Sequence, residues 1–104
     1  RERQVNSFTL TQSAKTDLKE VARFTEKNWG RTQRNIYIKQ FDDMFHRLAD
    51  TSSIGQKCDY IKSNYQKFPQ GSHIIFYKKV SNESIQIIRI LHKSMDIILQ
   101  LDNS

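Results

Sequence analysis

The chain has 104 residues, a net charge of +6, 37% hydrophobic residues and one cysteine. That length makes a single domain, residues 1–104, with a modest core; a lone cysteine closes no internal disulfide and suits a reducing, cytoplasmic setting. No apolar run is long enough to span a membrane, and the N-terminus lacks the apolar core of a signal peptide.

The charge is unevenly placed. Residues 12–50 carry eight Lys and Arg against six Asp and Glu, whereas residues 57–96 carry seven against three. The basic half favours an acidic partner, either nucleic acid or an acidic protein segment.

Phe8-Thr9-Leu10-Thr11 alternates apolar and polar, so it reads as a short strand with Phe8 and Leu10 inward. Thr11 or Ser13 can cap the helix that follows, with Asp17 and Glu20 near its start. Ala14, Leu18, Val21, Ala22, Thr25 and Trp29 fall on one helical stripe, and Gly30 ends it. A second helix is predicted over residues 32–49, with Tyr37, Phe41, Met44, Phe45 and Leu48 as its stripe. The short link at Gly30 predicts two antiparallel neighbours. Both stripes are narrow, so Trp29, Tyr37, Phe41, Phe45 and Leu48 are expected to bury against a sheet. Phe24 and Ile36 remain on the outer helix faces.

Residues 51–55 form a turn, and residues 58–62 read as a short strand or a turn. Cys58 reads as a small buried hydrophobe. Residues 65–68 read as a strand stopped by Pro69-Gln70-Gly71, with an edge able to take an added strand. Residues 72–80 and 85–96 hold runs rich in Ile, Phe and Tyr around the polar break Ser81-Asn82-Glu83-Ser84, which predicts a hairpin. Ile74 and Phe76 point one way, Ile75 and Tyr77 the other; Ile85 and Ile87 oppose Ile88 and Ile90. A strand apolar on both faces belongs in the middle of a sheet covered on both sides. Residues 97–101 are a last strand, a helix turn or a segment that awaits a partner. The expected class is α+β: an N-terminal strand and an α-hairpin packed on a small twisted antiparallel sheet.

There is no Gly-rich phosphate loop, CxxC, HExxH or nucleophile elbow. His46, His73 and His92 lack metal-ligand spacing, so neither a metal nor another cofactor is expected. The groups that could carry chemistry are Lys67, His73, Arg89, His92 and Lys93. In a ribonuclease, His73 and His92 would move protons while Lys67 and Arg89 held the phosphate. The simpler reading makes all five strand-end polar residues that face solvent or a partner.

A series of segments carries a resemblance: Phe8-Thr9-Leu10-Thr11, the spacing of Ala14 to Asp17-Leu18, Trp29-Gly30, and Gly55-Gln56-Lys57-Cys58-Asp59. It continues through Ser72-His73-Ile74-Ile75-Phe76-Tyr77, Arg89-Ile90-Leu91-His92 and Met95-Asp96. In that order they resemble the ParE branch of the RelE/ParE toxin superfamily of type II toxin–antitoxin systems. The resemblance implies a cytoplasmic toxin that inhibits DNA gyrase and blocks replication. It further implies neutralisation by a ParD-like antitoxin in a hetero-oligomer, with DNA binding left to the antitoxin. Contacts to antitoxin or gyrase are then expected at Arg89, His92, Lys93, Met95 and Asp96. The other branch, the RelE type, consists of ribosome-dependent mRNA interferases. Its members carry Arg on the strand where this chain has His73, and losing one cationic oxygen stabiliser typically slows such chemistry about 100–1,000-fold. That departure favours a non-enzymatic inhibitor, with Lys67, His73, Arg89 and His92 as the catalytic set of the alternative.

Overall fold

The computed structural model describes residues 7–59, 61–95 and 101. In chain order the elements are β1 (Ser7–Leu10), α1 (Gln12–Trp29), α2 (Arg31–Asp50), a short 3-10 turn (Ser52–Ile54), β2 (Gln56–Lys57), β3 (Tyr65–Gln70), β4 (His73–Ser81) and β5 (Ser84–His92). The strands make one five-stranded sheet in the order β1-β5-β4-β3-β2. It is antiparallel apart from β1, which runs parallel to β5 with Phe8 opposite Ile85 and Leu10 opposite Ile87. The α+β class holds, with that parallel edge added.

Thr11 performs two jobs at the start of α1. Its hydroxyl oxygen accepts the Ala14 N–H at 3.0 Å, which caps the helix, and it donates to the Ile88 carbonyl at 2.7 Å. The helix is therefore tied to the sheet at its N-cap. Gly30 alone separates α1 from α2, at a φ of +94° that favours glycine. The two helices pack on each other and on the sheet.

The sheet has two apolar faces, as its sequence implied. On the helix side Ala14, Val21, Phe41, Phe45, Leu48, Ile75, Tyr77, Ile85, Ile87 and Ile90 form the main core. On the far side Phe76, Ile88 and Leu91 cluster with Cys58 and Leu101, and Ile61, Tyr65 and Ile74 pack around them. Burial raises the Cys58 thiol above its usual range, in keeping with a packing role. Tyr77 crosses the core to donate to the Ser52 carbonyl at 2.6 Å. A Cβ on Gly55 would overlap its hydroxyl, so that turn needs glycine.

Several expectations are corrected. Trp29 is 71% exposed, because α1 ends on it beyond the sheet. Ile90 shares the helix side with Ile85 and Ile87. Ile88 is an extra residue between the pairs Tyr77–Ile87 and Phe76–Arg89, and that bulge turns the side chains after it over. β3 runs through Pro69 to Gln70, and its outer edge is paired with β2 at Gln66 and Lys67. Of the two readings of residues 58–62, a strand or a turn, the described positions take the turn. Asp96 and residues 97–100 lie outside the described residues.

Candidate functional site

The hairpin of β4 and β5 turns at Asn82-Glu83 and brings its far ends together, with His73 directly opposite His92. The rings meet edge to face, centroids 5.2 Å apart. Each is anchored through Nδ1. For His73 the anchor is the Tyr37 hydroxyl on α2, at 2.8 Å. For His92 it is Ser94, whose backbone N–H donates at 3.1 Å and whose Oγ lies at 2.7 Å. Tyr37 also donates to the Gln70 carbonyl and accepts the Ser72 N–H.

Two adjoining grooves open over this pair, and His73, His92 and Phe24 line both. One, of about 400 Å3, is walled by Trp29, Tyr37 and the Gly71-Ser72 turn. The other, of about 500 Å3, reaches Asp17, Glu20 and Met95. Phe24 is 60% exposed, Trp29 71% and Met95 46%, so the walls are largely apolar and open. Among the described residues neither lining contains Lys or Arg.

The predicted cations are elsewhere. Lys67 lines a separate depression with Lys93, Phe68 and Ile74. Arg89 is committed to Asp17: its Nε donates at 2.7 Å and a second guanidinium nitrogen at 3.0 Å, and both side chains are almost buried. The Ile90 N–H donates to the same carboxylate at 3.0 Å. β1 stops pairing at Ile87, so Asp17 satisfies the β5 edge where β1 leaves off. No group of three His, Cys, Asp or Glu that could hold a metal occurs among the described residues.

Burial, reinforced by the neighbouring His92, pushes the His73 imidazole down to about 4, and Asp17 opposes the shift. The folded state therefore resists a proton that the unfolded chain accepts near 6.5. Its contribution to stability is complete above that value and is lost as the pH falls from about 6.5 to about 4. After discounting for partial exposure the loss is of order 2 kcal/mol. Urea midpoints measured across that window should fall more steeply for the native chain than for His73→Gln. Parallel curves would mean that His73 is not held neutral by the fold.

Sequence reasoning joined His73 and His92 only in the ribonuclease alternative and did not place them opposite each other. Counting outward from Asn82-Glu83 would have done so, because the extra residue Val80 on β4 offsets the extra Ile88 on β5. Tyr37 as the anchor of His73 had no local signal.

A family model described as the ParE toxin of the type II toxin–antitoxin system, parDE, matches residues 8–97. The chain is 32% identical over 90 residues to Toxin ParE1 of Mycobacterium tuberculosis, spanning 86% of this chain and 92% of that one. It is 29% identical over 89 residues to Toxin ParE1 of Caulobacter vibrioides, spanning 86% and 91%. A solved structure of the chromosomal ParDE TA system from P. aeruginosa superposes with a TM-score of 0.70 over 85% of this chain and 96% of that chain; at 16% identity the likeness speaks to the fold. A family match across almost all the elements described above, on a fold of the same kind, places the chain in the ParE toxin family of type II toxin–antitoxin systems.

Proposed function

We propose that this toxin acts by binding DNA gyrase and blocking replication, without chemistry of its own, and that a ParD-like antitoxin neutralises it in the cytoplasm. The family supplies the toxin class. The observation that supports inhibition over cleavage is the separation of the cations from the imidazoles. Cutting a phosphodiester builds negative charge on oxygen, and preorganised donors must meet it. Here Arg89 is held by Asp17, and Lys67 lines a different depression from His73 and His92. One observation favours the alternative, an mRNA interferase of the RelE type: the two histidines that would move protons do stand side by side.

Arg89, His92, Lys93, Met95 and Asp96 remain the proposed contact set for antitoxin or gyrase. His92 and Met95 border the apolar groove, Lys93 lines the separate basic depression, and Arg89 acts through its hold on Asp17. Purified toxin is expected to stop gyrase supercoiling and to leave mRNA intact in a translating extract run in parallel. Site-specific mRNA cuts with normal supercoiling would reverse the assignment and make Lys67, His73, Arg89 and His92 catalytic candidates.

A further inference from the structure

Hydrogen bonding makes the two imidazoles of the groove chemically opposite. A tyrosine hydroxyl has one hydrogen and two lone pairs. The Gln70 carbonyl, 3.0 Å from the Tyr37 hydroxyl, can only accept that hydrogen. The Ser72 N–H, at 3.1 Å, occupies one lone pair. All three contacts are satisfied only when His73 Nδ1 donates to the other, which leaves His73 Nε2 a bare acceptor. At His92 the order is reversed. Its Nδ1 faces the Ser94 backbone N–H, which can only donate, and the Ser94 hydroxyl at 2.7 Å can donate as well, so the neutral ring carries its hydrogen on Nε2. Among the described residues neither Nε2 has a partner, and no unpartnered side-chain nitrogen or oxygen is buried, so both are open to the groove.

We propose that this groove binds the uncharged carboxamide of an Asn or Gln side chain from a partner protein, with His92 Nε2 donating to the amide oxygen and His73 Nε2 accepting an amide hydrogen. An adjacent donor and acceptor are the complement of a carboxamide, which offers one oxygen and an NH2 group. Other ligands meet a mismatch. A carboxylate or phosphate presents only acceptors, one of which faces the bare His73 nitrogen, and among the described residues the lining has no Lys or Arg to offset it. An ammonium or guanidinium presents only donors: it suits the bare His73 nitrogen and Glu20 at the groove's far end, but it meets the His92 N–H. A metal ion needs both Nε2 atoms bare, and moving the His92 hydrogen to Nδ1 sets it against the Ser94 N–H. The exposed Phe24, Trp29 and Met95 call for apolar side chains on either side of the amide. The surface does not depend on gyrase being the target.

The test uses the full chain labelled with 15N. Long-range proton–nitrogen correlation reads which ring nitrogen carries the hydrogen, and Trp29, the only tryptophan, reports on the groove by its fluorescence. The capped peptide acetyl-Ala-Leu-Gln-Leu-Ala-amide is then titrated against the same peptide with Glu in place of Gln. The expected result is opposite tautomers, movement of both Nε2 signals, and binding of the Gln peptide about tenfold tighter, the worth of one good hydrogen bond. Matching tautomers, equal affinities, or no response to millimolar Gln peptide would overturn the proposal. So would movement of the same signals by a short single-stranded RNA, which would make the groove a nucleic-acid site.

Discussion

Asp17→Ala is expected to lower the stability of the fold by about 3–5 kcal/mol, the usual effect of removing one partner from a buried ion pair. The Asp17 carboxylate accepts from Arg89 Nε at 2.7 Å, from a second guanidinium nitrogen at 3.0 Å and from the Ile90 N–H at 3.0 Å. The two side chains are only 14% and 13% exposed, so water cannot readily replace those contacts. Truncation removes the carboxylate that α1 offers the Arg89 guanidinium and leaves a β5 edge amide without an acceptor. A domain of this size has about 5–15 kcal/mol in total, so the variant should unfold at a much lower urea concentration. The double variant Asp17→Ala, Arg89→Met should recover part of the loss, because it also removes the partly buried charge that had lost its Asp17 contacts. An Asp17→Ala midpoint equal to that of the native chain would mean that the pair contributes nothing and that Arg89 is available for other work.

The same pair shows where the sequence stops being readable. The pattern marked Arg89 as a charge on a strand that should be buried, which correctly signalled that it needed a partner. Its partner lies 72 positions away, in the first half of α1, and no local rule connects them. The hairpin was legible because strand composition and a polar break are local signals. So was the helix stripe, since Phe41, Phe45 and Leu48 are all buried. Trp29 was misplaced because helical periodicity says which way a side chain faces but not where the sheet ends. Ile90 was misplaced because one bulge at Ile88 changes every later face assignment, and a bulge leaves little trace in composition. The parallel pairing of β1 with β5 follows from the path of α1 and α2 between them, which depends on packing across the whole domain. At the site, residue type alone singled out the five polar candidates, and only the register of β4 on β5 decides which of them meet.

Phe41→Ala is expected to cost about 3–5 kcal/mol, through lost burial and the cavity left behind. Phe41 is fully buried where α2 crosses the sheet, and its ring lies edge-on to Tyr37 at 5.0 Å and to His73 at 5.9 Å, with Phe45 at 6.1 Å. It therefore supports the core and the floor of the groove together. Truncation should loosen the packing that excludes water from His73, and the imidazole should titrate closer to its ordinary 6.5 than to about 4. Urea midpoints measure the first effect, and an NMR titration of His73 the second. Trp29→Ala provides the contrast. That ring is 71% exposed, so its loss should change stability by no more than about 0.5 kcal/mol. Phe41→Ala with native stability would show that α2 is not packed on the sheet as described. A destabilised Phe41→Ala with His73 still titrating near 4 would separate the two roles and leave Tyr37 alone as the group that holds His73 in place.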